Sequence, residues 1–254
     1  EPRHQLTDAG AELLFRVPQA VALAAEAARG TAVTEVVVMG VAEGATPLDT
    51  ILGEAMAGKV PVDLSADVAV LPYSSGTTGL PKGVMLTHRN LVANIAQIEA
   101  TMPIAPHEIG LAVLPYFHIY GMQVMMNLYL SRGAGVVTMP RFDLETYLRL
   151  IAEHRIERLY VAPPIVGALA KHPMVADVDL SSLRMVLSGA APLGGEVTEA
   201  AAARLGCEVF QGYGMTEMSP VSHFCRMGHG RKGSAGEIVP LMECRVIDPE
   251  TLAD

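Results

Sequence analysis

Short β-branched runs separated by helical patterns set the tightest limit on how this chain folds. Val36 to Met39, Val68 to Tyr73, Gly135 to Met139, Arg158 to Val161, Met185 to Ser188 and Cys207 to Gln211 read as strands. Between them, Thr87 reads as the N-cap of a helix from His88 to about Ala100, and Asp143 as the N-cap of one reaching His154. Leu193 to Leu205 forms an Ala-rich third helix. Such alternation predicts an α/β fold of layered, mostly parallel sheets flanked by helices, with ligands at the carboxyl ends of the strands. The Gly-rich turns fall at those ends. The last thirty residues turn Gly-rich and then strand-like, which predicts a peripheral sheet, and Val246 to Thr251 reads as a strand running into a turn.

Composition removes several classes of function. Half of the 254 residues are hydrophobic, enough for a substantial core, while a net charge of −9 leaves little basic surface for nucleic-acid phosphates. Cys207, Cys225 and Cys244 are odd in number and form no CxxC pair, so they indicate neither a disulfide framework nor a zinc site. The polar start, Glu1 to Thr7, is unlike a signal peptide, and a reducing cytoplasm is the plain expectation. Ile109 to Ser131 carries no charged residue and is long enough to span a bilayer. Pro115, His118, Gln123 and Asn127 are spread through it, and Pro115 would break a spanning helix, so no membrane span is expected. The stripe Met122, Val124, Met125, Met126, Leu128 and Leu130 reads as helix core before it reads as an adaptable binding surface.

The densest chemical signal is the run from Tyr73 through Ser74, Ser75, Gly76, Thr77, Thr78, Gly79, Leu80, Pro81 and Lys82 to Gly83. Glycines let backbone N–H groups approach phosphate oxygens, hydroxyls add donors, and lysine supplies a cation, a combination suited to a triphosphate. Pro81-Lys82-Gly83 departs from the Walker pattern, which needs Lys after Gly and then Ser or Thr. A generic loop of this composition would be a solvated turn; the ordered length of this one favours a function.

The string YSSGTTGLPKGVMLTHRN resembles the phosphate-loop signature of adenylate-forming enzymes, the acyl-CoA synthetase or AMP-binding superfamily, and its 4-coumarate:CoA ligase branch in particular. Further motifs follow in the family's order. Leu114 to Gly121 is similar to its acyl-site motif, Ser188 to Leu193 to the loop cradling adenine and acid, Gln211 to Glu217 to the adenylate and magnesium motif, and Gly233 to Gly236 to a later GxxG turn.

The resemblance implies the large N-terminal domain of such enzymes. It divides the chain into an N-terminally incomplete AMP-binding core, 1–233, and the start of a peripheral β subdomain, 234–254. The C-terminal lid with its catalytic lysine, and an aspartate for the ribose, are expected outside the chain, so this piece alone is expected to be weak or inactive. The resemblance also implies site residues. ATP or AMP would be held by Ser74, Ser75, Gly76, Thr77, Thr78, Gly79, Lys82, Gly189, Ala190, Ala191, Pro192, Gln211, Gly212, Tyr213, Gly214, Met215 and Thr216. The acyl substrate would meet His118, Tyr120, Gly121, Gly189, Gly214, Pro220 and Val221, with the glycines leaving room for a flat ring.

Among these, His118, Lys82, Thr216 and Glu217 would carry catalysis, Glu217 would hold Mg²⁺, and Arg141 would meet coenzyme A phosphates. A lone His in an apolar run is ordinarily a hydrogen-bonded core residue, a lone Glu a solvated carboxylate and a lone Arg a surface cation; the motifs shift the first two toward function. The implied reaction joins a carboxylic acid to CoA through an acyl-adenylate, with a hydroxycinnamate or other aryl acid such as 4-coumarate preferred. The rivals are a medium- or long-chain fatty acid ligase, a luciferase-like enzyme, and a non-catalytic nucleotide-binding fragment. An amino-acid adenylation domain fits less well, because Phe117 is followed by His118 where an amine-pairing Asp would stand. Oligomeric state is left open.

Overall fold

A computed structural model describes residues 2–74, 80–248 and 250–251 of the chain, which divides into two units, Glu1–Met85 and Leu86–Asp254. The first unit runs α1 (Pro2–Asp8), β1 (Leu13–Arg16), α2 (Val21–Ala28), β2 (Glu35–Val38), β3 (Thr46–Pro47), α3 (Leu48–Ile51), β4 (Val68–Val70), β5 (Tyr73–Ser74) and β6 (Lys82–Gly83). β1, β2 and β3 pair in parallel. Leu14 points from β1 into a small core with Leu6 and Ala24, backed by Ala27, Ala28 and Val36. Leu13 and Phe15, one step out of phase, are 50% and 46% exposed. The predicted strand from Val68 to Tyr73 is broken in two, because Pro72 has no N–H for a ladder. β5 and β6 pair antiparallel, with Ser74 opposite Lys82.

The second unit runs β7 (Leu86–Thr87), α4 (His88–Thr101), β8 (Ile109–Ala112), a π-helical stretch (Gly121–Asn127) continuing as α5 (Leu128–Ser131), β9 (Gly135–Thr138), α6 (Leu144–Glu153), β10 (Arg158–Val161) and α7 (Pro163–Lys171). It continues with β11 (Met185–Ser188), α8 (Gly195–Leu205), β12 (Glu208–Gln211), β13 (Tyr213–Gly214), a 3₁₀ turn (Thr216–Met218), β14 (Val221–Phe224) and β15 (Glu237–Ile238). β10, β11 and β12 form a parallel sheet, and β8 pairs in parallel with β9 while lying beside β10. Successive residues face opposite sides. Leu111, Leu159, Val161, Val186 and Val209 enter one core with α6, α7 and α8. Ala112, Tyr160, Met185, Leu187 and Phe210 enter another with α4, the π-helical stretch and β14. Burial on both faces explains why these strands read as nearly unbroken apolar runs.

Local chemistry sets the helix ends. Thr87 Oγ1 accepts from Asn90 N–H while Asn90 Oδ1 accepts from Thr87 N–H, a reciprocal cap for α4, and Asp143 Oδ1 accepts from Thr146 N–H to start α6. The predicted helix from Leu193 starts two residues later, after Gly194, which stands in extended backbone as its N-cap. Ile109 to Ser131 resolves into a strand, a loop and a bent helix, and no helix of the described residues is long and apolar enough to cross a membrane. Val124, Met125 and Leu128 are buried as expected, whereas Leu130 is exposed.

The peripheral sheet is antiparallel, in the order β13-β14-β15. Gly236 makes it possible. It has φ +101°, and a Cβ there would sit 2.3 Å from the Phe224 carbonyl carbon. The expected strand at Val246 is absent: the segment is irregular, and Asp248 Oδ1 accepts from the Glu250 and Thr251 N–H groups in a turn.

Candidate functional site

Parallel pairing brings the loops after β8 and β9 to one end of their pair and the loops after β11 and β12 to one end of theirs, and the Tyr120 hydroxyl on Leu187 O joins the two. Gly189 continues β11 by donating its N–H to the Val161 carbonyl at 3.0 Å, and Gly212 continues β12 by donating to Ser188 O at 3.0 Å. The chain then turns sharply at Ala190, whose φ of 71° lies in the left-handed region that disfavours a side chain. Gln211 Oε1 accepts the Leu193 N–H at 2.7 Å, tying the loop of Ala190, Ala191 and Pro192 to the strand that begins the next motif.

That motif folds back on itself. Tyr213 and Gly214 pair with β14, Met215 N–H donates to Pro220 O at 3.0 Å, and a Cβ on Gly214 would lie 2.1 Å from that same oxygen. Thr216 is buried in the 3₁₀ turn, and Glu217 beside it is exposed. Pro220 and Val221 are buried below. Asn94, buried on α4, clamps Val221 from both sides: its Nδ2 donates to Val221 O at 2.8 Å and its Oδ1 accepts Val221 N–H at 3.2 Å.

Above β8, His118 follows a turn in which its N–H donates to Pro115 O at 3.1 Å. The ring nitrogen Nδ1 accepts from the Tyr120 N–H at 3.2 Å, so the neutral imidazole carries its proton on Nε2. Partial burial lowers its pKa and favours that neutral form. Tyr120 itself is buried, and its hydroxyl donates to Leu187 O at 3.3 Å. A Cβ on Gly189 would sit 2.9 Å from the Tyr120 ring, and one on Gly121 would sit 2.4 Å from Pro115 O. The missing side chains at both positions let the chain pack closely there. Arg141, past the end of β9, is exposed.

In the first unit, Lys82 is exposed across from Ser74. Tyr73 anchors this hairpin by donating to Asp8 Oδ2 at 2.7 Å; desolvation first, and the Asp8 carboxylate second, push its pKa up to about 12. Ser75, Gly76, Thr77, Thr78 and Gly79 lie outside the described residues.

Sequence reasoning missed Asn94 and the hydrogen-bonding role of Gln211. The signal for Asn94 was an amide pair at i and i+3, Asn94 and Gln97, on a helix. Their side chains bond to each other at 2.9 Å, and Gln97 reaches Pro240 O at 2.8 Å.

Residues 1–254 match the family of AMP-binding enzymes. The chain is similar to 4-coumarate--CoA ligase 2 of Oryza sativa subsp. japonica, with 44% identity over 221 residues, which is 82% of this chain and 39% of that protein. Among solved structures, a long-chain-fatty-acid-CoA ligase from Archaeoglobus fulgidus superposes with a TM-score of 0.87 at 26% identity, over 99% of this chain and 52% of that one. An anthranilate CoA ligase in complex with anthranoyl-AMP gives 0.82 at 25% identity, over 100% and 51%. The chain therefore spans about half or less of the length of these relatives.

Proposed function

The chain belongs to the AMP-binding enzymes, and from that premise we propose that it carries the nucleotide and acid site of an ATP-dependent acid:CoA ligase. A carboxylate oxygen of the acid attacks the α-phosphorus of ATP, the bond to the bridging oxygen breaks, and pyrophosphate leaves. The thiol sulfur of coenzyme A then attacks the acyl carbonyl, and AMP leaves with the electrons of the acyl–oxygen bond. The 4-coumarate--CoA ligase relatives support a hydroxycinnamate or similar aryl acid as substrate.

The observation that supports this reading is the cluster of loops at the carboxyl ends of β11 and β12. There, the Gly189–Leu193 and Gln211–Glu217 loops are bonded to each other through the Leu193 N–H and Gln211 Oε1, and Tyr120, two residues past His118, donates its hydroxyl to Leu187 O. Backbone groups of Gly189, Ala190, Ala191 and Pro192, with Gly212, Tyr213, Gly214, Met215 and Thr216, are assigned to adenosine monophosphate. Tyr120, Gly121, Pro220 and Val221 frame the acid, and Arg141 is assigned to CoA phosphates.

His118, whose Nε2–H has no partner among the described residues, is suited to hydrogen-bond a carboxylate or the adenylate carbonyl. Ser74 and Lys82, with Ser75, Gly76, Thr77, Thr78 and Gly79, are assigned to the phosphates of ATP, where the lysine offsets negative charge. Glu217 fits a magnesium ion. Its exposed carboxylate has no hydrogen-bond or ion-pair partner among the described residues, and a hard cation that shares phosphate and water ligands needs one or two carboxylates. When bound, that ion would lessen the repulsion between the attacking carboxylate and the triphosphate.

The test gives the protein at its full natural length ATP, Mg²⁺, coenzyme A and a panel of aryl, fatty and amino acids, with products identified by mass spectrometry. Hydroxycinnamoyl-CoA is the expected product. Fatty acyl-CoA would keep the ligase and overturn the acid, and the absence of any thioester would overturn the ligase.

A further inference from the structure

On β14, two residues beyond Val221, His223 stands directly across from Tyr213 of β13. The two rings meet at a tilt of 61°, with centroids 6.0 Å apart, an edge-on arrangement. Ser222, buried between them in sequence, donates its hydroxyl proton to the Tyr213 carbonyl at 3.2 Å and contacts His223 Nδ1 at 3.0 Å. A hydroxyl has one proton. With that proton on the Tyr213 carbonyl, Ser222 Oγ accepts from His223 Nδ1–H, which fixes the neutral ring in the tautomer opposite to that of His118. Tyr213 is thus held through its backbone by Ser222 and along its ring by His223, while half of the residue stays open to solvent.

A tyrosine ring steadied on one side and open elsewhere is a stacking platform for a flat π-system. We infer that His223, oriented by Ser222, is a positioning residue that holds the Tyr213 ring for stacking on the purine of the nucleotide. This rests on the proposed adenylation, which assigns Tyr213 to AMP. His223 touches the nucleotide only through Tyr213; loss of its ring leaves Tyr213 free to rotate, and binding then requires that freedom to be given up.

The test is a double-mutant cycle in the protein at its full natural length, reading the Kd for AMP by calorimetry and the KM for ATP and kcat by steady-state kinetics. His223→Ala is expected to weaken AMP binding about three- to tenfold, the range of one aromatic pair, and to raise KM for ATP more than it lowers kcat. His223→Phe, which keeps a ring edge in place, is expected to restore most of the loss. The Tyr213→Ala/His223→Ala protein is expected to bind AMP no worse than Tyr213→Ala alone, because the histidine acts through the tyrosine. Should His223→Ala fail to fold, His223→Phe and Ser222→Ala carry the test, and equal loss of binding in both would overturn the inference. Full additivity in the cycle, or weakened binding from Tyr213→Ala with none from His223→Ala, would overturn it while leaving the adenylation reading intact. Wild-type protein that binds no AMP would overturn both.

Discussion

The two units of this chain solve different folding problems. In the second, β10 and β11 are buried along their whole length, with one core above and another below. In the first, β1 buries only Leu14, while Leu13, Phe15 and Val17 are each about half exposed, and the core is a small cluster around Leu6, Leu14 and Ala24. A sheet covered on both faces leaves its strand ends little freedom, so loops that spring from those ends inherit the sheet's rigidity. Gly189 and Gln211 stand on such ends. Ser74 and Lys82 stand on a hairpin of two residues per strand, anchored by the Tyr73 hydroxyl on Asp8.

Truncating one side chain in each unit is expected to show the largest difference. Leu148→Ala, on the buried face of α6, is expected to destabilise the fold by about 2 to 5 kcal/mol. Phe15→Ser on β1 is expected to stay within about 0.5 kcal/mol, as for other exposed positions. Equal losses in chemical denaturation would remove the distinction.

Gly214→Ala comes next. Its methyl would meet Pro220 O at 2.1 Å, and the near atoms are all backbone of Pro220 and Val221 with no flexible group to yield, so a loss of about 3 kcal/mol is expected together with weakened AMP binding. Wild-type affinity in a folded Gly214→Ala protein would show that the turn tolerates opening. Asn94→Ala leaves the N–H and carbonyl of Val221 buried without their partners, an expected cost of about 2 kcal/mol, read as a shift in the denaturation midpoint with the slope unchanged.

The smallest effect is the titration of His118. Partial burial depresses its pKa below the ordinary 6.5, so the unfolded chain binds this proton more readily than the folded one. Its contribution to stability is complete above 6.5 and is lost as pH falls through the folded value. Protonation also ends the acceptance of the Tyr120 N–H by Nδ1. Nuclear magnetic resonance of the ring is expected to give a midpoint below 6.5; one at or above that value would contradict the burial account.

Much of the second unit was legible because its signals are local. Arg158–Val161 and Met185–Ser188 are apolar runs between turn residues, and Thr87 and Asp143 are caps that act within three residues. What stayed hidden depends on distant partners. β8 is masked by the apolar stretch that continues past it, α7, which opens on Pro163-Pro164, is not among the expected helices, and the predicted strand at Val246 finds no partner among the described residues. For the site, residue types and order were readable from the motifs. The reason for the glycines was not, because Tyr120 and the Pro220 carbonyl that crowd Gly189 and Gly214 arrive from elsewhere in the chain. Asn94, separated from Val221 by 127 positions, left only a helical amide pair as its trace.

Acid-dependent exchange of labelled pyrophosphate into ATP, measured on the protein at its full natural length, reads the adenylation step itself, since only reversible adenylation returns the label. The account predicts exchange that requires an added aryl acid and falls by about two orders of magnitude or more in Lys82→Ala or Glu217→Gln. A folded protein that binds ATP but gives no exchange with any carboxylic acid would contradict it.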